Sequence, residues 1–184
     1  MSANQPHQIA IVIPALNEEL AIRDVVTSVL VICPNVIVID DGSTDATVER
    51  IADLPITLIR HEHPSGKGEG LRDGFREAMR LGFDAVITMD GDGQHQASDI
   101  PRMLAAARAY PEHIVIGARM RVRDNQPDAR RRANAVADWG ISWGCATPIA
   151  DTQSGQRYYP RAVLELVDIP AEDFVFEAAI LITA

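Results

Sequence analysis

Short, uniformly apolar runs alternate along the chain with longer segments whose apolar residues recur every three or four positions. The runs are Ile9–Ile13, Val36–Ile39, Ile56–Ile59, Ala85–Met89 and His113–Gly117. Their length and lack of polar interruption predict buried strands. The first intervening segment carries Leu20, Val25, Val29 and Ile32 and closes at Pro34, which predicts a helix. Thr44 or Asp45 caps a short helix ending near Ala52. Another helix shows Leu71, Phe75, Ala78, Met79 and Leu81 on one face and stops at Gly82. Ser98 is placed to cap a helix through Ala109, and 128–146, 161–167 and 173–183 complete the helical segments. Strand and helix in alternation predict an α/β fold, a mostly parallel central sheet flanked by helices.

Ligands of such sheets bind beyond the carboxyl ends of the strands. Polar clusters follow three of the predicted strands: Pro14–Glu18, Asp40–Asp45 and Asp90–His95. In the last, Asp90 and Asp92 stand two residues apart, and Gly91 and Gly93 leave room for a ligand to approach. Such a carboxylate pair suits one hard cation, Mg²⁺ or Mn²⁺, that keeps waters and takes further oxygens from the diphosphate of a nucleotide-sugar. Alone, the six residues read equally as a solvated turn; three clusters on one predicted edge favour the site. Asp40 and Asp41 are placed to accept from a base N–H or a ribose hydroxyl, whereas Asp45 suits an Asx-type turn. Glu18 reaches the same nucleoside or serves the first turn of a helix. Lys67, between Gly66 and Gly68, is a candidate phosphate contact, although the segment lacks P-loop spacing. No G-x-G-x-x-G follows the first strand, which disfavours a dinucleotide site. His61 and His63 read as solvated rather than metal-binding. Asp151 is a candidate base or acceptor-orienting group, or equally part of a self-satisfied turn. Trp139 and Trp143, four apart on one helical face, are expected in the core rather than in an acceptor groove.

The chain has 184 residues and is 47% hydrophobic, enough for one domain with a real core. A net charge of −9 argues against a nucleic-acid partner. Against that balance, Arg119, Arg121, Arg123, Arg130, Arg131 and Arg132 crowd one segment. It suits an anionic ligand or peripheral contact with an anionic membrane, and equally a solvated loop. Cys33 and Cys145 make no disulfide or zinc pattern and read as reduced. With no signal-peptide pattern and no apolar stretch of spanning length, a cytoplasmic protein is expected.

Taken together, the motifs resemble glycosyltransferase family 2, whose fold is GT-A, a Rossmann-like nucleotide-binding half joined to an acceptor half. Pro14–Glu18 is similar to the family's opening motif, Asp40–Asp45 to its nucleoside loop and Asp90–Asp92 to its D-x-D. Asp90–His95, Gly66–Gly68, Gly117–Arg119 and Asp151–Gly155 are most similar to the dolichyl-phosphate mannosyltransferase-like branch. The resemblance implies an inverting transferase moving a sugar from a UDP- or GDP-sugar to a polyprenyl phosphate. It implies that Pro14, Leu16, Asn17, Glu18, Asp40 and Asp41 line the nucleoside, with Lys67 and Gly91 beside it. Asp90, Asp92 and Gln94 would hold the metal, Arg119 the phosphates, and one of Arg130, Arg131 and Arg132 the acceptor phosphate. An acceptor phosphate is already anionic near neutral pH, whereas a sugar hydroxyl would need a base and make Asp151 important. Family members usually continue with another strand and often with membrane-associating helices. The pattern here ends at Ala184 inside an apolar helix, so a single domain truncated at its C-terminus is expected. The competing readings are a transferase with a sugar-hydroxyl acceptor in envelope polysaccharide synthesis, a sugar nucleotidyltransferase and a non-catalytic nucleotide-binding module.

Overall fold

The computed structural model describes residues 8–118, 128–170 and 174–184, without the side chains of 128–133 and 174. The elements run β1 (Ile9–Ala15), α1 (Ile22–Leu30), β2 (Val36–Asp40), α2 (Thr47–Ile51), β3 (Thr57–Arg60), α3 (Lys67–Arg80) and β4 (Ala85–Thr88). A 3-10 turn (Ala97–Asp99), α4 (Ile100–Ala109), β5 (Val115–Ile116), α5 (Asp128–Gly144), β6 (Arg157–Pro160), α6 (Arg161–Leu164) and α7 (Phe174–Thr183) follow. The strands form one sheet in the order β3-β2-β1-β4-β6-β5. The first four strands are parallel; β6 lies antiparallel between β4 and β5.

Both faces of the sheet are covered, which is why its central strands are apolar without alternation. One face packs Ile11, Ile13, Val38 and Ile87 against α1, Ile51 of α2 and α4. The other packs Val12, Ile39 and Val86 against Leu71 and Phe75 of α3, Leu164 of α6 and Phe176 and Ile180 of α7. α3 approaches closely because Gly74 faces the sheet: a Cβ there would meet Val12 Cγ1 at 2.5 Å and Ile39 Cδ1 at 2.9 Å.

β6 escapes the sequence pattern. Tyr158 faces one core and Tyr159 the other, but Arg157 precedes them and Pro160 ends the run. All four are buried. Two expectations are corrected. α4 is entered through the 3-10 turn, and its first residue follows Asp99 with no side-chain cap, so Ser98 does not cap it. Trp139 and Trp143 are not core: they are 72% and 79% exposed. The sheet faces are already filled, and α5 packs on α7, where Gly144 meets Ile182 and the Cys145 thiol donates to Leu181 O. The tryptophans are left on the open side with Val136. Cys33 and Cys145 are both free thiols, each half-buried.

Candidate functional site

Parallel register brings the carboxyl ends of β1, β2 and β4 to one edge. Ala15 pairs with Asp40 and Val12 with Thr88, so the segments that follow them emerge side by side. Asn17 then locks the first two loops together. It takes a left-handed backbone, φ 56°, which Asn tolerates. Its N–H donates to Ser43 Oγ at 2.9 Å, and its side-chain oxygen accepts from Thr44 N–H at 2.9 Å. Glu18 N–H donates to Thr47 Oγ1 at 2.8 Å. Asp45 fills its expected turn role, accepting from Thr47 N–H at 3.0 Å. Pro14 is half-buried and Leu16 exposed at this rim.

Asp40 is fully buried. It accepts from Ser43 N–H at 3.3 Å, and Arg60 Nε lies 3.2 Å from its second oxygen, off the hydrogen-bonding direction. Asp41 is the anchor of the next loop. Its Oδ1 accepts from Ser65 N–H and Ser65 Oγ, both at 2.8 Å, and its Oδ2 from Gly66 N–H at 2.9 Å. His61 is not a solvated side chain, as the sequence suggested. Its Nδ1 lies 2.8 Å from Asp41 Oδ1 and its Nε2 3.0 Å from Asp73 Oδ2. The two carboxylates meet through folding, which no local pattern announces. Burial would lower the His61 pKa, but hydrogen bonds to Asp41 and Asp73 outweigh it and raise it. Burial would raise the Asp41 carboxyl; the donors from Ser65, His61 and Gly66 hold it below the ordinary range. His63 is exposed.

β4 delivers the acidic loop. Asp92 and Gln94 are exposed, with Gln94 N–H donating to Asp92 Oδ1 at 2.9 Å. Gly91 is buried; a Cβ there would press on Ile22 and on Pro14 O, both at 3.3 Å. Asp90 is turned inward. Its Oδ1 lies 2.8 Å from Lys67 Nζ, and His95 Nε2 stands 3.4 Å from Oδ2 without hydrogen-bond alignment. Its carboxylate rests against Gly155, where a Cβ would collide with both oxygens. Burial would raise the Asp90 carboxyl, but His95 and Lys67 hold it well below the ordinary range.

Lys67 opens α3 and is shared. Glu177 of α7 places Oε2 3.2 Å from its ammonium. Burial disfavours that charge, yet Glu177 and Asp90 raise the pKa. Glu177 was not legible in the sequence, because it sits in an apolar helix far along the chain. Asp151 is 1% exposed. Its neighbour Thr152 is held to α5, donating from N–H and Oγ1 to Asp138 Oδ1 at 2.8 and 2.7 Å. Arg119 lies outside the described residues. So do the side chains of Arg130, Arg131 and Arg132, whose backbone belongs to α5.

The donor set can be tested against a divalent cation. Among the described residues no three His, Cys, Asp or Glu side chains form a closed metal cage. Mg²⁺-type sites commonly use one or two carboxylates, waters and substrate phosphates instead. The loop offers such hard, accessible oxygens on Asp92 and Gln94. Its charge is felt across the mouth: burial raises the Glu18 carboxyl, and Asp92, Asp45 and Asp90 push it further up, although Lys67 is paired with Asp90. An acidic mouth with exposed oxygen donors fits a cation.

The model of Glycosyl transferase family 2 matches residues 10–165. The UDP-N-acetylglucosamine–dolichyl-phosphate N-acetylglucosaminyltransferase of Methanococcus voltae is 27% identical over 180 residues, covering 86% of this chain and 72% of that protein. The polyprenol monophosphomannose synthase of Mycolicibacterium smegmatis is 30% identical over 175 residues, covering 89% and 65%. Glucosyl-3-phosphoglycerate synthase of Mycobacterium tuberculosis, crystallised with Mn²⁺, UDP and glucosyl-3-phosphoglycerate, superimposes with a TM-score of 0.70 at 26% identity. That match covers 96% of this chain and 64% of the other. The chain therefore spans roughly two thirds of the length of these proteins.

Proposed function

The chain belongs to glycosyl transferase family 2 and has its GT-A fold, and on that premise we propose that it transfers a sugar from a UDP- or GDP-sugar to a polyprenyl phosphate. The observation that carries this reading is the convergence of the β1, β2 and β4 exit loops on one acidic mouth. Pro14, Leu16 and Glu18 form one wall for the nucleoside; Asp41 and Asn17 hold the loops that frame it. Asp92 and Gln94, with Asp90, would hold Mg²⁺ or Mn²⁺. When bound, that ion neutralises the departing nucleoside diphosphate. Lys67 adds a fixed positive charge beside the same group, and Arg119 is the further candidate for the donor phosphates.

A phosphate acceptor needs no strong base. The near-complete burial of Asp151 supports that acceptor over a sugar hydroxyl, leaving Asp151 to orient rather than abstract a proton. Arg130, Arg131 and Arg132 are the candidates for the acceptor phosphate. The exposed Val136, Trp139 and Trp143 follow them on α5. Basic residues beside exposed tryptophans on a helix suit the membrane interface where such an acceptor resides. No helix among the described residues is long and apolar enough to cross a membrane. The contact proposed for α5 is peripheral, on the cytoplasmic side.

The test is transfer of labelled sugar from a panel of UDP- and GDP-sugars to undecaprenyl phosphate in vesicles, with Mn²⁺ or EDTA. Labelled lipid formed only with the metal is expected. Turnover onto soluble hydroxyl acceptors, with none onto the lipid phosphate, would replace the acceptor assignment.

A further inference from the structure

Glu177 stands apart from the family motifs read in the sequence, yet the fold works to place it. Phe176 beside it is fully buried, packs tilted against Phe75 with ring centroids 6.2 Å apart and lies under the Arg72 guanidinium at 4.1 Å. Arg157, itself buried, donates to Glu177 O at 3.2 Å and so fixes the helix backbone at that residue. The side chain is thereby aimed inward, at the first residue of α3. Its Oε2 reaches Lys67 Nζ at 3.2 Å. Its Oε1 is buried without a hydrogen-bond partner among the described residues, 3.9 Å from Arg157 Nη1.

Lys67 thus stands between two carboxylates of different accessibility. Asp90 belongs to the loop that faces the ligand; Glu177 is the more enclosed, its side chain 12% exposed against 23%. A divalent ion entering the mouth competes with the ammonium for Asp90. An ammonium released without a partner in a half-buried site would carry an uncompensated charge, which is costly.

Resting on the cation role proposed above, we propose that Glu177 is a positioning residue that retains Lys67 when Asp90 turns to the incoming cation. Lys67 is the resting counter-ion of Asp90, and Glu177 is the holder that makes the exchange inexpensive. It touches no reacting atom. The spare acceptor capacity of its Oε1 lets it take the ammonium fully once Asp90 is engaged.

The test is a double-mutant cycle on Mn²⁺ affinity, read by titration with the electron paramagnetic resonance signal of free Mn²⁺, with UDP or GDP present. The proteins are wild type, Glu177→Gln, Lys67→Met and the double variant, each checked by melting temperature. Glu177→Gln should weaken Mn²⁺ binding about tenfold when Lys67 is present and less than about threefold in the Lys67→Met background. Simple loss of a nearby negative charge predicts equal factors in both backgrounds, and that result would overturn the exchange. No effect of Glu177→Gln in either background would overturn it too. Failure of the wild type to bind Mn²⁺ would instead remove the cation reading itself, and the inference with it. Should Glu177→Gln fail to fold, Glu177→Asp, which keeps the charge, takes its place with the same contrast between backgrounds.

Discussion

Replacing Arg157 by methionine would keep most of the side-chain volume and remove the donors that bind three parts of the site together. Arg157 Nη2 donates to Thr152 O at 2.6 Å, Nε to Ser154 O at 2.8 Å and Nη1 to Glu177 O at 3.2 Å. The first two acceptors hold the loop that backs Asp90; the third holds α7. Each buried acceptor stripped of its donor costs about 1–3 kcal/mol. Part of that is offset, because the variant no longer buries a guanidinium. Losing one partner from a buried charged network commonly costs about 3–5 kcal/mol net, and that is the magnitude expected. For a chain of this size it corresponds to a fall in melting temperature of roughly 6–20 °C. Urea unfolding monitored by tryptophan fluorescence and circular dichroism would measure it. Arg157→Lys should recover only part of the loss, since one ammonium cannot serve the same spread of carbonyls. A methionine variant within about 1 kcal/mol of wild type would refute the argument that Arg157 joins β6, the Thr152–Gly155 loop and α7.

Three further outcomes are expected. Gly155→Ala should displace the Asp90 carboxylate, destabilise the fold by about 1–3 kcal/mol and weaken Mn²⁺-dependent nucleotide binding; calorimetric titration beside a melting curve separates the effects. His61 is raised above its ordinary 6.5, so its contribution to stability is complete below that pH and is lost as pH rises through the higher folded value. Urea midpoints across about pH 5.5–8.5 should therefore show that decline in wild type and lack it in His61→Gln. Trp139→Ser with Trp143→Ser should leave the melting temperature within about 2 °C, because both side chains are exposed, while reducing co-sedimentation with anionic vesicles.

The alternating pattern was enough to find β1 to β4, the covering helices and the edge where the polar loops emerge. β1, β2 and β4 are buried nearly throughout because helices cover both faces, so burial leaves a direct trace; β3, at the sheet edge, alternates half-buried and exposed residues. The acidic loop was legible for the same reason: Asp90 comes two residues after the strand ends, at the close of a buried apolar run, and the glycines beside it have few other uses. β6 left no such trace. Its two tyrosines divide between opposite cores, and the arginine before them reads as a surface residue until its carbonyl partners are known. His61 and Glu177 were hidden for a different reason. Their partners lie on other elements, so their meaning comes from long-range packing rather than local spacing. The tryptophans misled because helical periodicity marks an apolar face without saying whether anything remains to cover it.

Asp92→Asn is the most direct probe of the central claim that an acidic mouth holds the donor diphosphate through a divalent ion. The substitution keeps size and removes a charge that is exposed and, among the described residues, engaged only with Gln94 N–H, so folding should be unaffected. Calorimetric titration of UDP and GDP, with Mn²⁺ and with EDTA, should show metal-dependent binding in wild type and at least a tenfold loss in the variant, about 1.4 kcal/mol or more. Equal, metal-dependent affinity in both proteins would contradict the account.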